Sequence, residues 1–492
     1  MSSILLKNGT ALLHSANRIS KIEKNIKPGG DVKVIDCTDK IISPGFIDTH
    51  HHGWQTQLKG RHADELLLNY MVTGNAQSSQ FTPTDIFYGQ LSGYLEGLAA
   101  GTTTIVDHAH LTYSPEHVRS ALSATISSGV RSVFCYTPIN RIKHWNPITY
   151  HENVLEDWVM GTFEELASER KGLEDEGWGG GRVTLGFAWD LWFLGDEVSK
   201  AVFRKAHEAG VKTITCHFST TPQIFGKNSL PELLGRLGLL DGRILLSHAN
   251  GCTGRDCELM REAGTHVSST PSTELQMAMG RSICFDASAE QPREIQSHSS
   301  LGVDCHSNNA SSIILEARLG LQNARNHYNE GFLKDGKTTY KLPQSLSVEA
   351  AFNLATIQGA RAVGMENKIG SLEVGKKADI VIFDGMSPGM VGAAQHDPTA
   401  AVVLHSSPSD IETVIVDGVV RKKEGKLVTV DVDEGVRQVV GRQSLEWRDI
   451  AREVVKSRER IQKEIDKLDF QKEKRVLMKA LYIDEGVFVD GG

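Results

Sequence analysis

Eight short apolar runs, rich in β-branched residues, occur between residues 41 and 307, and each of them ends in polar residues. Runs of this length and composition are typical of strands that are buried on both faces. The segments between them space their apolar residues for one helical face, and several close on glycine, as helix ends often do. Strand and helix alternating eight times predict an α/β fold, a (β/α)8 TIM barrel. The predicted strands are IISPGFIDTH (41–50), TTTIVDHAH (102–110), VRSVFCYTP (130–138), RVTLGFAWD (182–190), VKTITCHFS (211–219), RILLSHAN (243–250), THVSSTPS (265–272) and SLGVDCHS (300–307).

The two ends of the chain have a different pattern, with short alternating strands separated by polar turns. Residues 1–43 and 371–430 contain such strands, and the sequences DGV and EGK in the second segment are turn signals. We expect both segments to form one small composite β-sandwich beside a barrel of residues 44–370. The strongly charged residues 431–492 predict a C-terminal extension of amphipathic helices, which packs on the body or on a partner subunit.

Charge and hydropathy limit the partners of the chain. The net charge is −8, and we expect no nucleic-acid partner because a non-specific nucleic-acid binder needs a basic face. No apolar run reaches the roughly 18 residues that cross a bilayer, so we expect no membrane partner. The seven cysteines are scattered, and the first residues lack the pattern of a secretory signal, which together favour a cytoplasmic location. We also expect a homodimer or a higher homo-oligomer.

Histidine and aspartate are concentrated at the ends of the predicted strands. In a barrel of this kind the catalytic side chains lie at the C-terminal ends of the strands, because these ends meet at one mouth. Imidazole and carboxylate groups gathered at one mouth are typical of metal-dependent or acid–base chemistry. The strand-end residues are His50, His52, His108, His110, Asp190, His217, His248, Asp304 and His306.

The first strand end has the spacing of a metal-ligand pair. His50 and His52 are two residues apart on a predicted strand, so their side chains point to the same side, whereas His51 points to the other. Taken alone, this pair is equally typical of a turn that happens to be rich in histidine. The pair becomes informative only when other strand ends supply further ligands.

Three further strand ends supply such ligands. His217 and His248 lie about one strand–helix unit apart, and Asp304 follows about two units later, so all three return to the same mouth. Imidazole nitrogen with carboxylate oxygen is the set expected for zinc, and it also suits iron or manganese. A metal ion in such a site lowers the pKa of a bound water toward about 7. Asp304 could touch the ion and also accept the proton of that water.

The strand-end motifs PGFIDTHHH, GTTTIVD, TCH, LSHAN and SLGVDCHSNN occur in this order along the chain. In combination they resemble the amidohydrolase superfamily, and in particular its aminohydrolase branch. That branch contains triazine chlorohydrolases and the deaminases of guanine, 8-oxoguanine and methylthioadenosine. The stretch NLATIQGARAVGMENKIGSLEVGKKADIVIFD is similar to the family's passage from barrel to sandwich, so the resemblance covers roughly residues 1–430.

The resemblance implies roles for individual residues. His50, His52, His217 and Asp304 match the metal ligands of the family. His248 matches a catalytic histidine that lies beside the metal or stabilises the transition state. Family members with this set usually hold one divalent ion, zinc or iron. No lysine ends the fourth run, GFAWD, where the two-metal branches place a carboxylated bridge, and this favours a single ion.

One position departs from the family pattern. Ring deaminases and triazine hydrolases of this branch have His-x-x-Glu at the fifth strand, and the glutamate moves protons to the ring and to the leaving group. Here Thr220 stands at the glutamate position, and a hydroxyl donates a hydrogen bond but is not an acid near pH 7. We therefore expect Asp304 to be the main catalytic acid and base, with a helper group at the mouth. The candidate helpers are His108, His110, Asp190 and His306.

Several residues near the mouth are candidates for binding a small-molecule substrate. The stretch HHHGWQT is similar to the HHHxxQT stretch of 8-oxoguanine deaminase-like proteins, in which the glutamine faces the ring substrate. Trp189 falls where relatives active on methylthioadenosine have a substrate histidine. Aromatic residues here could stack on a ring, although core packing explains each of them equally well. The substrate-binding residues that we predict are Gln55, Trp54, Trp189, His108 and Thr220.

The interpretation that we favour is a metal-dependent hydrolase. A metal-activated water would cleave a C–N bond, other than a peptide bond, in a cyclic amide, an amidine or an amino-heterocycle. One alternative is a lyase on the same scaffold, such as a decarboxylase of an aromatic or heterocyclic acid, because the metal and Asp304 suffice for that reaction. The other alternative is a barrel that binds a ligand without catalysis. A product that carries an added water would favour the hydrolase over the lyase.

Overall fold

The computed structural model of the protein describes residues 3–8, 11–14, 17–23, 26, 32–222, 226–285, 294–480, 483 and 485–489. Parts of the predicted segments 1–43, 44–370 and 431–492 lie outside the described residues. The strands are β1 (Ser3–Lys7), β2 (Ala11–His14), β3 (Arg18–Ile22), β4 (Val32–Asp36), β5 (Lys40–Pro44), β6 (Phe46–His51), β7 (Thr102–Ala109), β8 (Arg131–Tyr136), β9 (Ile142–His144), β10 (Thr149–Tyr150), β11 (Val183–Ala188), β12 (Ile214–Ser219), β13 (Ile244–Asn250), β14 (His266–Ser269), β15 (Ser299–Leu301), β16 (Ile380–Asp384), β17 (Ile411–Val416), β18 (Val419–Lys423), β19 (Lys426–Leu427), β20 (Val430–Asp431) and β21 (Ser444–Leu445).

Helices connect most of these strands. None of the helices in the described part of the chain combines the length and the apolar composition that a membrane span needs. The α-helices are α1 (Leu67–Thr73), α2 (Pro83–Ala99), α3 (Pro115–Ser128), α4 (Asp157–Glu169), α5 (Trp178–Gly181), α6 (Asp196–Glu208), α7 (Leu230–Leu237), α8 (Gly254–Ala263), α9 (Pro271–Gln276), α10 (Ile313–Leu333), α11 (Val348–Leu354), α12 (Ile357–Ala362), α13 (Ala393–His396), α14 (Pro398–Ala400), α15 (Arg437–Val440), α16 (Trp447–Ile465) and α17 (Phe470–Ala480).

The predicted barrel is confirmed. Strands β6, β7, β8, β11, β12, β13, β14 and β15 form one parallel sheet in that order. The last strand meets the first because the backbone N–H of Asp304 donates to the carbonyl of His50 at 2.8 Å. Strands β7, β8 and β13 are buried at every residue, as expected for parallel strands covered on both faces. The C-terminal ends of all eight strands therefore surround one mouth.

One predicted strand is divided. The run 41–50 forms β5 and β6, and the two strands belong to different sheets. Gly45 lies between them, and a Cβ atom there would be 2.0 Å from Oγ1 of Thr103. The chain thus leaves the sheet that contains β5 and enters the barrel at Gly45, where only glycine fits.

Both ends of the chain contribute to two further sheets, as predicted. One sheet has the order β3-β2-β1-β4, and the other has the order β19-β18-β17-β16-β5. Leu6 and Ile19 of the first pack with Ile380, Ile382 and Ile415 of the second in one buried cluster. The residue boundaries of the three predicted domains stay predictions.

The C-terminal helices pack against the barrel mouth. Helix α16 contacts α2 and the 3-10 turn Gly53–Leu58, which directly follows the first strand-end histidines, and α17 contacts α1. Arg458 of α16 donates hydrogen bonds to the carbonyls of Gln57 and Lys59 at 2.8 and 2.9 Å. The predicted helical extension therefore packs on the loop that follows β6 and holds it by hydrogen bonds. The extension also contains the short strand β21.

Candidate metal centre and active site

Four side chains from distant parts of the chain converge at the barrel mouth. His50, His217 and His248 lie near the ends of β6, β12 and β13, and Asp304 follows β15 by three residues. One ligand atom from each of these side chains lies within 4.8 Å of all the others. His217 is the most accessible, with a third of its side chain exposed, and the others are buried. The structure therefore brings together a nitrogen- and oxygen-rich donor set on one side of the barrel.

His52 joins this group, as the spacing of the first pair predicts. Its Nε2 atom lies 3.0 Å from Oδ1 of Asp304 and 3.4 Å from Nε2 of His217. Nε2 of His50 lies 3.2 Å from the same Asp304 oxygen. Four ligands placed tetrahedrally about 2.0–2.1 Å from one zinc ion would lie roughly 3.3 Å from one another. These separations fit a single small metal ion surrounded by His50, His52, His217 and Asp304.

Hydrogen bonds to Nδ1 fix the orientation of the first two imidazoles. Nδ1 of His50 lies 2.8 Å from Oγ of Ser247, and Nδ1 of His52 lies 3.0 Å from the carbonyl oxygen of His108. Each ring therefore presents Nε2 to the shared site. Such partners behind the ligands are typical of metal-binding histidines, because they set both the tautomer and the direction of the ring.

The other two imidazoles are oriented in the same way. Nδ1 of His217 lies 2.8 Å from Oδ2 of Asp190, and Nδ1 of His248 lies 2.9 Å from Oγ1 of Thr270. Asp190 also accepts the backbone N–H of His217 at 2.8 Å. All four Nε2 atoms are thereby left for the site that the imidazoles surround.

Burial and hydrogen bonding set the charges of the donor groups. Burial lowers the pKa of His50 well below its usual value, so this imidazole is neutral near pH 7. Burial alone would raise the pKa of Asp304, but the contacts with His50 and His52 hold it well below its usual range. Burial also lowers the pKa of His217, yet the adjacent Asp190 carboxylate raises it above the usual value. His50 and Asp304 are therefore in the neutral imidazole and ionised carboxylate forms that bind a metal ion, whereas Asp190 favours the protonated form of His217.

The backbone is strained at two of these positions. Asp304 has a φ of 63°, and His248 and Ala249 have φ values of 74° and 55°, which non-glycine residues seldom adopt. Gly302 lies just before Asp304, and a Cβ atom there would be 2.8 Å from the backbone nitrogen of His50. Strain of this kind is concentrated at functional sites, where the surrounding structure enforces it.

Gln55 lies beside the donor set but already has partners within the chain. Its Nε2 donates to Oη of Tyr70 at 2.7 Å, and its Oε1 accepts from Oγ of Ser307 at 2.8 Å. Cys305 lies next to them, with Sγ 2.9 Å from Oη of Tyr70. This buried polar network reaches Asp304 through Cys305, whose thiol the carboxylate contacts. A direct role of Gln55 in substrate binding stays a prediction.

Trp54 and His108 line the other side of the donor set. The ring of Trp54 lies 5.6 Å from that of His110, which in turn lies 4.0 Å from the ring of His52. Nε2 of His108 lies 3.0 Å from Oδ2 of Asp190. The indole nitrogen of Trp54 and Nδ1 of His108 are buried without a hydrogen-bond partner among the described residues. The substrate-binding roles predicted for Trp54 and His108 stay predictions.

Trp189 and Thr220, the two remaining predicted substrate-binding residues, have partners within the protein. Trp189 is fully buried, stacks near Phe187 and donates its indole N–H to Oγ of Ser199 at 3.2 Å. Thr220 follows β12, and its backbone N–H donates to the carbonyl of Asn250 at 2.9 Å. The surroundings of Trp189 are those of a core residue, and the substrate-binding role predicted for each of them stays a prediction.

The sequence of the chain matches the profile of the Amidohydrolase family over residues 41–421. The chain belongs to the amidohydrolase family. It is therefore a hydrolase of the amidohydrolase type, which acts on carbon–nitrogen bonds other than peptide bonds. The matched range begins in β5, spans the whole barrel and ends in β18, so helices α16 and α17 lie outside it.

Two relatives of similar length carry the names of deaminases. A 5-methylthioadenosine/S-adenosylhomocysteine deaminase from Acetivibrio thermocellus is 26% identical over 413 residues, which cover 82% of this chain and 86% of the relative. A 5'-deoxyadenosine deaminase from Methanobrevibacter smithii is 26% identical over 444 residues, which cover 88% of this chain and 91% of the relative.

Solved structures share the fold. An adenosine deaminase from Xanthomonas campestris with bound zinc superposes with a TM-score of 0.72 at 18% identity, covering 94% of this chain and 97% of that one. A triazine hydrolase from Arthrobacter aurescens gives a TM-score of 0.70 at 17% identity, covering 92% of this chain and 100% of that one. At these identities the likeness supports the fold alone, that is, the barrel and its flanking sheets.

Sequence reasoning did not identify the groups behind the ligands. Ser247 and Thr270 both lie at strand ends, so their position in LSHAN and SSTPS was a signal that could have found them. Tyr70 lies in a helix of the loop after β6, and nothing in the pattern of that segment distinguishes it. Glu274 is fully buried with Oε1 3.8 Å from Nδ1 of His248, and it too has no sequence signal.

Proposed function

We propose that the protein is a mononuclear zinc hydrolase that removes the amino group of an amino-heterocycle. The observation that carries the proposal is that Oδ1 of Asp304 lies 3.2 and 3.0 Å from Nε2 of His50 and His52, and that Nε2 of His52 lies 3.4 Å from Nε2 of His217, which are separations expected of ligands around one ion. Zinc, when bound, supplies a positive charge that lowers the pKa of water toward about 7. Three imidazoles and a carboxylate also suit iron or manganese.

Asp304 is the group that we assign to proton transfer. Its Oδ1 atom faces His50 and His52, which leaves Oδ2 to take a proton from the attacking water and to pass it to the leaving nitrogen. The low pKa of Asp304 keeps the carboxylate ionised before the reaction begins. A single carboxylate can therefore act first as base and then as acid.

His248 is the group that we assign to charge stabilisation. Thr270 holds its Nδ1 atom, so Nε2 is directed toward the donor set, where negative charge develops on oxygen during attack on a ring carbon. We expect His248 to stabilise the transition state and to contribute little to the binding of the substrate in its ground state.

The branch of relatives supports an amino-substituted ring as the substrate. The two relatives reported above are named as deaminases of adenine nucleosides. Thr220 replaces the family glutamate, so protonation of a ring nitrogen must come from elsewhere at the mouth. His108, His110, Asp190 and His306 stay the candidates for this helper. Burial lowers the pKa of His108 to about 4, so its imidazole is neutral near pH 7. The predictions of a homo-oligomer and of a cytoplasmic location are kept.

A lyase is the second candidate, because Thr220 removes the group that ring deamination ordinarily uses. A decarboxylase would need only the metal ion and Asp304, and its product would contain no added water. Ammonia release separates the two reactions directly.

The experiment combines metal analysis with a screen of substrates. We expect one zinc ion per chain after gentle purification, loss of activity with a chelator, and recovery with zinc. Zinc-loaded protein should release ammonia from one or more amino-heterocycles, with a product in which oxygen replaces the amino nitrogen. Carbon dioxide release without ammonia would support the lyase, and protein that binds no divalent ion would contradict both.

A further inference from the structure

Two cysteine side chains lie in contact at the start of helix α8. Sγ of Cys252 lies 3.5 Å from Sγ of Cys257, and both side chains are buried. Cys252 follows β13 by two residues, and Cys257 lies near the start of α8. Both are thiols, and no role assigned so far uses them. Sulfur atoms this close need to approach by only about 1.5 Å to reach the length of a disulfide bond, about 2.05 Å.

The start of α8 explains why these two side chains meet. Thr253 is the N-cap of the helix, and it forms a capping box with Asp256. Cys252 therefore precedes the cap, and Cys257 is the fourth residue of the helix. Side chains at these two positions often pack together where a helix begins. Two apolar side chains would make this contact equally well, so the thiols add a chemistry that the packing does not need.

The pair lies directly beneath the surface of the protein. Gly251, Thr253, Gly254 and Arg255 are all exposed, although the cysteines beside them are buried. The first turn of a helix opens readily, because its N–H groups have no partners within the helix. A small oxidant therefore needs only a local opening to reach the two sulfur atoms.

Hydrogen peroxide converts such a pair of thiols to a disulfide in two steps. One thiolate attacks a peroxide oxygen, the O–O bond breaks, hydroxide leaves, and a sulfenic acid forms. The second thiolate then attacks the sulfur of the sulfenic acid, so that the S–S bond forms and the S–O bond breaks. The two sulfur atoms lose two electrons to the peroxide, and two thiols with one peroxide give one disulfide and two molecules of water. A dithiol reductant reverses the change.

The turn between β13 and α8 should move when the bond forms, while the helix stays in place. The backbone N–H of Cys257 donates to the carbonyl of Thr253 at 3.2 Å, which holds Cys257 in the helix. Ser229 holds the first turn further by donating a hydrogen bond to Asp256. Cys252 lies outside the helix, so it is the residue that approaches its partner.

A displacement of this turn should reach His248. The backbone N–H of Cys252 donates to the carbonyl of Ala249 at 3.3 Å, and Ala249 directly follows His248. Gly251 packs so closely on the loop after β12 that a Cβ atom there would clash with Oγ1 of Thr220. The turn is thus packed along its length, and it cannot absorb a shift of Cys252 without moving the backbone next to His248.

We propose that Cys252 and Cys257 form a reversible disulfide when a peroxide oxidises them, and that this bond displaces His248 and lowers turnover. The disulfide itself is independent of the proposed function, whereas its effect on turnover rests on that function. His248 is not one of the four proposed metal ligands, so the metal content should stay the same while the stabilisation of the transition state weakens. The protein is therefore most active when both thiols are reduced.

Peptide mass spectrometry tests the bond directly. Trypsin cuts after Arg243, Arg255 and Arg261, which gives residues 244–255 and residues 256–261 as two peptides with one cysteine each. Zinc-loaded protein is treated with hydrogen peroxide, alkylated and digested without reductant. We expect the two peptides to appear as one cross-linked species, which dithiothreitol separates. Peroxide-treated protein that stays folded and gives no cross-linked species would overturn the proposal.

Turnover connects the bond to His248. We expect kcat for ammonia release to fall by about tenfold or more in the cross-linked protein, because a misplacement of about 1 Å in an active site can cost about 10²-fold. Zinc content should not change, and dithiothreitol should restore kcat. Cys252→Ser and Cys257→Ser should keep their activity in peroxide. Cys37→Ser, which changes a buried cysteine packed between the two flanking sheets, should respond to peroxide as wild type does.

The outcomes separate this proposal from the proposed function. A cross-linked protein with unchanged kcat, or a loss of kcat in peroxide that persists in Cys252→Ser, would overturn the proposal and leave the proposed function intact. Reduced protein that releases no ammonia from any heterocycle would contradict the proposed function. Backbone hydrogen exchange of residues 244–255 then decides the present proposal, because a difference between the reduced and cross-linked forms supports it and identical exchange overturns it.

Discussion

Asp190 holds His217 by two hydrogen bonds, one from the backbone N–H and one from Nδ1, each 2.8 Å long. The oxygen that binds Nδ1 also lies 3.0 Å from Nε2 of His108. One carboxylate therefore orients a candidate metal ligand and contacts a candidate proton-transfer residue. These contacts give a structural reason for an aspartate two residues after β11, the fourth strand of the barrel.

Replacing Asp190 by asparagine should weaken metal binding. The amide presents one acceptor and one donor, so it cannot accept both the backbone N–H and the Nδ1–H of His217. Loss of such a partner behind a ligand typically lowers metal affinity by about 10–100-fold. Competition with a chromophoric chelator measures the zinc affinity directly. Asp196→Asn is the matched control, since Asp196 lies at the start of α6 and pairs with exposed Arg236. Equal zinc affinity in Asp190→Asn and wild type would contradict the orienting role.

Replacing Asp304 by asparagine should abolish turnover while the chain still folds. Asparagine keeps an oxygen that can face the ion, but it cannot accept a proton from water. We expect kcat to fall by about 10²–10⁴-fold, the usual contribution of a general acid or base. Zinc content and thermal unfolding are measured on the same sample, so that lost chemistry is distinguished from lost metal. Full activity in a zinc-loaded Asp304→Asn variant would exclude the proposed mechanism.

The barrel could be predicted because each strand is a separate apolar run that ends in a polar residue. All eight runs contain a strand, and the predicted donor residues converge because parallel strands share one mouth. The break at Gly45 was not foreseen, since β5 and β6 are continuous in apolar character and only the close approach of Thr103 separates them. The apolar pattern of a run indicates that its residues are buried, but it does not indicate where the chain passes from one sheet to another.

The surroundings of the donor set could be predicted only in part. The Nδ1 partners Ser247 and Thr270 are small hydroxyl residues, and their place at strand ends is their only sequence signal. Serine and threonine occur at many other strand ends, so that place alone does not identify them. The aromatic residues illustrate the opposite difficulty, because Trp54 and Trp189 are both fully buried, yet only Trp54 lies against the histidines of the mouth. Contacts between distant segments determine which of these residues lie at the donor set, and the periodicity of a single segment cannot reveal such contacts.

Glu316 should make the stability of the protein depend on pH. Burial raises the pKa of this carboxyl from 4.5 to about 8, although Ser272 donates two hydrogen bonds to it. Between these two values the folded chain keeps a proton that the unfolded chain releases, so the free energy of unfolding falls as the pH rises. The slope from one group is at most about 1.4 kcal/mol per pH unit.

Glu316→Gln should therefore flatten the pH profile and stabilise the protein at the alkaline end. Urea unfolding between about pH 5 and 8 measures the difference from wild type. Glu330→Gln is the control, because Glu330 lies on the same helix with half of its side chain exposed. Parallel profiles for wild type and Glu316→Gln would show that Glu316 is ionised in the folded chain across this range.

Arg458 should affect substrate binding although it lies outside the barrel. Its guanidinium donates to the carbonyls of Gln57 and Lys59, and neighbouring Ser457 accepts a hydrogen bond from Nε2 of Gln57 at 3.0 Å. These contacts hold the turn Gly53–Leu58, which carries Trp54 and Gln55 of the predicted substrate-binding residues, whereas the ligands His50 and His217 lie on strands β6 and β12.

Arg458→Ala should therefore raise KM more than it lowers zinc affinity. The loss of charged hydrogen bonds to two backbone carbonyls should also lower the free energy of unfolding by about 1–3 kcal/mol. Steady-state kinetics, chelator competition and urea unfolding measure the three effects separately. Arg452→Ala removes an exposed arginine from the same helix and should change none of them. An Arg458→Ala variant that loses stability with an unchanged KM would mean that α16 stabilises the fold without shaping the site.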